Sequence, residues 1–255
     1  MATIPYSTDT DHGEVKFFFT MACLMTALIV AGFGFNLAMG RSSFGAPWLV
    51  HFHAWVMMGW VALYLMQNTL IFAGNVALHR RLGWLSVVWL PLILVMGVLI
   101  TRFSLQDHGG PPFFDQNQFL ISNPLQLAGV VGIGAWAVAE RRNTGWHRRL
   151  MFFAFAMLTG PGIGRLLPSP LLIPYAWYVE AVLPPILFAA VGMIADKRRY
   201  GAIHPAWFWG IGIVIGIQIV ADLVAYSDWG IAFTRQVIAG TPGAERSMAA
   251  FFPPM

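Results

Sequence analysis

From Trp48 to Gly74 the chain carries no acidic or basic residue other than two histidines, His51 and His53, and the cluster His79-Arg80-Arg81 follows shortly after. At about 1.5 Å of rise per residue this is helix enough to cross a hydrocarbon core roughly 30 Å thick. Backbone amides cannot stay unpaired in lipid, so a chain built from such runs spans the membrane as helices or as a closed barrel. Runs of this length are not the alternating segments of about ten residues that a barrel requires. The composition agrees: of 255 residues 58% are hydrophobic and only 10% charged, against about 25% charged in a soluble domain. The chain reads as an all-α, polytopic membrane protein.

Seven transmembrane helices follow from the sequence. Residues 1–14 are polar and lack the basic start of a signal peptide, so they read as a retained N-terminal tail. The first helix covers about Val15–Met39, and the second is the stretch just described. The third covers about Leu82–Phe103, and a long loop, 104–118, contains Gly109-Gly110-Pro111-Pro112. The fourth covers about Phe119–Ala139. The fifth, Trp146–Leu167, is loosened by Gly160-Pro161-Gly162. The sixth, Leu171–Ala195, is kinked by Pro184-Pro185. The seventh covers Pro205 to about Tyr226. The transmembrane domain is thus 15–226, and 227–255 form a C-terminal tail whose apolar pieces are too short to span.

Basic residues set the orientation. Lys16, Arg80, Arg81, Arg141, Arg142, Arg148, Arg149, Lys197, Arg198 and Arg199 fall at one side. Arg41, Arg102, Arg165, Arg235 and Arg246 fall at the other. This places the N-terminus inside, the C-terminus outside, and the protein in a bacterial cytoplasmic membrane. The net charge of +4 is therefore a topology signal and does not indicate a nucleic-acid partner. The turns His79-Arg80-Arg81-Leu82 and His147-Arg148-Arg149-Leu150, with a looser copy at Arg198–Pro205, divide helices two to seven into three parallel hairpins, with helix one left over. The single cysteine, Cys23, forms no intrachain disulfide and no cysteine metal site.

The motif order resembles an uncharacterised family of bacterial seven-helix membrane proteins. The matching residues are His53-Ala54-Trp55, Gln67 with Leu70, Ala77 to Gly83, His147 to Met151, Gly164-Arg165, His204-Pro205-Ala206 and Trp209-Gly210. The resemblance implies the seven-helix architecture and carries no known activity. The histidine–basic–leucine turns are also similar to those of small membrane proteins linked to respiratory-oxidase assembly.

Three constellations have the residue types for chemistry. His79, His147 and His204 stand at helix N-termini beside arginines, which favours the neutral imidazole that binds a divalent metal or haem b iron. The alternative is an interfacial row beside Trp84, Trp146 and Trp207. His51 and His53, two apart on a helix, point about 200° from one another, so only one faces the bundle. With Trp55 they form a candidate cofactor site. Finally, His51, His53, Arg102, Asn123, Gln126, Arg165, Gln218 and Asp222 count to the outer half, with Tyr175 and Tyr178 beside them and Glu180 deeper, near the midplane, where it is expected to pair with Arg165 or His53. They read either as an outward polar pocket with Glu180, Asp222, Arg102 and Arg165 as its working groups, or as a structural network. The sequence lacks a phosphate-cradling glycine loop, a His-x-x-x-His pair and a lysine in helix seven.

Three functional classes remain open. One is a haem- or metal-dependent electron carrier. Another is a non-catalytic subunit or assembly factor of a larger respiratory or photosynthetic complex. The third is an enzyme or carrier for a lipid-soluble molecule such as a quinone or isoprenoid. Membrane lipid is a partner in each.

Overall fold

The computed structural model describes residues 12–252, and all regular structure among them is helical. Ten α-helices follow in chain order: α1 His12–Ala38, α2 Trp48–Phe72, α3 Val76–Gly83, α4 Leu85–His108, α5 Gln116–Ala139, α6 Thr144–Met157, α7 Gly160–Gly164, α8 Leu183–Tyr200, α9 Pro205–Ala225 and α10 Asp228–Ile238. A π-helical turn, Tyr178–Val182, leads into α8, so that Tyr178–Tyr200 is one continuous rod. Six elements are long and apolar enough to cross a membrane: α1, α2, α4, α5, the Tyr178–Tyr200 rod and α9. The tail expected over 1–14 lies outside the described residues up to position 11, and from His12 the chain is helical.

The expected fifth span takes a different form. It breaks at Leu158-Thr159 into α6 and α7. α6 alone has 14 residues, about 21 Å of helix, shorter than a hydrocarbon core. It is also the centre of the molecule. Leu150, Phe152, Phe153, Ala154, Phe155 and Ala156 are all fully buried, and α1, α5, α8 and α9 pack around it.

Bare backbone holds the break in place. A Cβ on Gly162 of α7 would lie 2.6 Å from the Ile29 Cα of α1, and one on Gly32 of α1 would lie 1.9 Å from the Gly162 carbonyl oxygen. α1 and α7 thus cross backbone to backbone, as small residues permit within membranes. Gly160 and Gly164, four apart on the same short helix, face the π-turn instead. A Cβ on Gly160 would lie 2.4 Å from the Glu180 carbonyl oxygen.

The sixth expected helix begins later than its apolar run. Residues 165–175 form turns and a short 3-10 segment, Ser169–Leu172. Pro184 and Pro185 supply no N–H to the preceding turn, and the helix widens there into the π-turn. Glu180 therefore stands in the first turn of its rod, at the end opposite Tyr200, and not at the midplane.

The C-terminal tail is structured as well. α10 packs on α4, α5 and α9, and the chain beyond it returns to the loop after α4. There the Arg246 guanidinium donates to the carbonyl oxygens of Gly109, Gly110 and Pro111 through one nitrogen, and to that of Phe114 at 2.6 Å through the other. The Gln116 N–H donates to Met248 O at 2.9 Å. The loop expected over 104–118 is shorter than expected, because α4 continues to His108 and ends in left-handed Gly109, φ 77°.

Candidate functional site

At the basic end, where Arg80, Arg81, Arg141, Arg142 and Lys197–Arg199 gather, the charges are of two kinds. Most are exposed. Arg149 is not: it is 0% exposed, and Glu14 and Asp196 are 2% and 3%. Arg149 donates through Nε to Asp196 Oδ2 at 2.8 Å, through NH2 to Asp196 Oδ1 at 2.5 Å and Glu14 Oε1 at 2.9 Å, and through NH1 to Gly145 O at 3.1 Å. Arg148 reaches Glu14 Oε2 at 2.6 Å, as does the Tyr200 hydroxyl. Trp207 Nε1 and the His204 N–H complete Asp196 at 2.7 and 3.2 Å. Two cations and two anions cancel, and acceptors on α1 and α8 are met by donors from α6, α8 and the start of α9. This is a structural knot; Glu14, Asp196 and its use of Arg148 and Arg149 were not evident from sequence, where the two arginines read as surface topology markers.

The three histidines of the basic turns separate into a pair and a cap. His79 and His147 lie with ring centroids 6.2 Å apart, edge to face. His147 Nδ1 sits 2.7 Å from Ala137 O, which can only accept, so Nδ1 carries the proton and Nε2 the lone pair. With the Gln67 amide assigned by its hydrogen-bond surroundings, its nitrogen faces the His79 carbonyl and Nδ1 and its oxygen the Gly83 N–H. His79 then carries its proton on Nε2. The two rings offer one donor and one acceptor, not two lone pairs. Burial, with His147 and Arg80 close by, lowers the affinity of His79 for a second proton.

His204 is engaged elsewhere. It caps α9, its Nδ1 accepting from the Ala206 N–H at 3.1 Å, and its ring packs on Trp146. Burial and the Arg149 charge push its imidazole down to about 4. Among the described residues no group of three or more His, Cys, Asp or Glu is placed to hold a metal ion.

On α2, His53 is the histidine that turns toward the bundle, on the side of Val56, Trp60 and Tyr64. His51 is exposed and its Nε2 meets Phe44 O at 3.2 Å. Trp55 is 58% exposed and stacks on Phe52, so the expected His51–His53–Trp55 grouping is split between two faces.

The polar residues expected to share one pocket likewise divide. Arg102 is exposed on α4 and stands apart from the others. Asp222 belongs to a hydrogen-bonded network joining α5, α9 and the π-turn. Gln218 Nε2 and Gln118 Nε2 donate to its Oδ1 at 2.8 and 3.4 Å, and the Tyr178 hydroxyl donates to Oδ2 at 3.1 Å. Gln218 also takes Trp177 Nε1 and Gln126 Nε2 on its oxygen. These polar groups are satisfied by one another.

Glu180, Arg165 and His53 form the remaining group, and it is not satisfied. The Glu180 side chain lies against α7, where a Cβ on Gly164 would come within 2.2 Å of its Oε2, and the Ser169 hydroxyl donates to Gly164 O at 3.0 Å. Arg165 sets its guanidinium 4.1 Å over the Phe33 ring and donates to Pro161 O at 2.6 Å. Its charge acts on both Glu180 and His53. Yet among the described residues Arg165 and Glu180 make no direct ion pair, and Arg165 Nε, Glu180 Oε1 and His53 Nδ1 are buried with no hydrogen-bond partner. Orphaned buried polar atoms are rare and ask for a cause. Here three of them, from three separate segments, belong to one electrostatic group. In comparisons with known proteins, the chain matches no family model, no curated protein and no solved structure.

Proposed function

We propose that this chain is a seven-crossing protein of the bacterial cytoplasmic membrane, with α6–α7 as the broken crossing and the basic end in the cytoplasm. On this reading it holds the polar head of a lipid-soluble small molecule of the quinone or isoprenoid-alcohol class between Glu180, Arg165 and His53. The observation that carries the reading is the trio of unfilled hydrogen-bonding atoms in an apolar surround. Arg165 Nε is a donor, Glu180 Oε1 accepts when ionised, and His53 Nδ1 accepts or donates by tautomer. A head-group hydroxyl both accepts and donates, so it can take the Arg165 Nε–H and give its proton to Glu180 Oε1, while His53 Nδ1 meets the same oxygen by tautomer. Each buried polar atom left unpaired costs about 1–3 kcal/mol, so a ligand that pairs them gains that energy on binding. Asp222 and its glutamines stiffen the rod that carries Glu180, and Arg102 has no part in the site.

Binding of a short-chain benzoquinol and of a short-chain isoprenoid alcohol to detergent-solubilised protein tests the proposal. Saturable binding of either, weakened about tenfold by Glu180→Gln and by Arg165→Gln, supports it. Equal uptake by wild type and both variants, all folded, overturns it. A haem- or metal-dependent carrier is the second reading, drawn from the closeness of His79 and His147. It requires the Gln67 amide to turn, and an absorption spectrum with metal analysis on the purified protein decides it.

A further inference from the structure

The basic end carries an open groove of about 490 Å³ between α1 and α8, apart from every site described above. Its walls are Phe17 of α1 and Val191, Ile194 and Ala195 of α8, and its end is Arg198 and Arg199. Positions 191, 194, 195 and 198 fall on one face of α8, so a single strip runs from apolar to cationic toward the helix terminus. α6 sets the spacing of the walls. Phe152 stacks on Phe17 at 6.3 Å on one side and meets Phe188 of α8 at 6.4 Å on the other, holding α1 and α8 apart.

Charge then selects the occupant. The acidic groups nearest on these two helices, Glu14 and Asp196, are turned into the bundle and already bound by Arg148 and Arg149. Arg198 is exposed and has no carboxylate within ion-pair distance among the described residues. Lys16, exposed next to Phe17, adds a further cation at this end. A furrow with apolar walls and a cationic end matches a molecule with an acyl chain and an anionic head. Basic pockets between membrane helices bind anionic lipid head groups in this way.

We propose that the groove between α1 and α8 is a binding site for an anionic phospholipid, its phosphate on Arg198 and one acyl chain along Phe17, Val191 and Ile194. The test uses the full chain in a neutral detergent, titrated with dioleoyl phosphatidylglycerol or dioleoyl phosphatidylcholine and read by native mass spectrometry and thermal unfolding. The expected result is selective retention of phosphatidylglycerol with a raised unfolding midpoint. Arg198→Gln weakens retention about fivefold, the effect of one surface cation. Val191→Trp, at a residue 43% exposed, obstructs the acyl path and weakens retention while leaving the lipid-free midpoint unchanged. Glycerol phosphate alone fails to displace the lipid. Equal retention of the two lipids, or wild-type retention of phosphatidylglycerol by Arg198→Gln, overturns the proposal, as does full displacement by glycerol phosphate.

Discussion

Arg149 of α6 and Asp196 of α8 form a two-pronged ion pair, Nε to Oδ2 at 2.8 Å and NH2 to Oδ1 at 2.5 Å, from which solvent is excluded on both sides. The pair ties the central helix to the rod that carries Glu180 at its far end. Removing one member of such a pair strands the other charge in an apolar interior, at a cost of about 3–5 kcal/mol. Asp196→Asn and Arg149→Met each produce protein that aggregates or melts far below wild type, read by size-exclusion chromatography and thermal unfolding. A variant that melts as wild type does would show that the pair is dispensable.

The cap on α9 responds to pH. His204 can accept from the Ala206 N–H only while Nδ1 is unprotonated, and its imidazole is held down at about 4, against an ordinary 6.5. Between these values the unfolded chain binds a proton that the folded chain refuses. Stability is therefore complete above about pH 6.5 and declines as pH falls toward 4. Asn also caps a helix but does not titrate, so His204→Asn flattens this part of the profile while carboxylate effects remain. Parallel melting profiles of wild type and variant over that window would refute the assignment.

Gly164 gives access to the Glu180 site. A methyl group there would lie 2.2 Å from Glu180 Oε2, so Gly164→Ala displaces the carboxyl. It leaves the bundle folded, because the neighbour that must yield is the end of a side chain. The expected outcome is loss of head-group binding equal to that of Glu180→Gln, with little change in melting temperature. Unchanged binding would place the ligand elsewhere.

Arg246 organises the surface at the opposite end from the basic turns. Its guanidinium gathers the carbonyl oxygens of the loop after α4, and hydrogen bonds to a charged donor are each worth about 1.5–3 kcal/mol. Arg246→Ala frees residues 109–115, seen as faster amide hydrogen exchange there and around Met248, with α1 and α2 unaffected. Exchange that stays slow in the loop would mean that the bonds from Phe251 N–H to Pro112 O, from Ala250 N–H to Asp115 Oδ1 and from Gln116 N–H to Met248 O hold it without Arg246.

Chain chemistry alone pointed to the membrane class, the presence of six long apolar helices and the sorting of most cations to one end. Lipid punishes unpaired backbone and charge so heavily that these features are written locally. Facing was not written there. α2 and α4 are apolar on every side, because lipid-exposed and buried positions favour the same residues; nothing in their periodicity says that His53 turns in and His51 out. Helix phase was lost wherever glycine or proline broke the rod. The break at Leu158-Thr159 and the π-turn before Pro184-Pro185 moved Glu180 from the expected midplane to the first turn of its rod, against Gly164. Arg149 looked like one more surface cation because its partners lie 47 and 135 positions away. Only the packing of four helices could turn it inward, since a charge enters an apolar core when the folded chain brings its counter-charges to meet it.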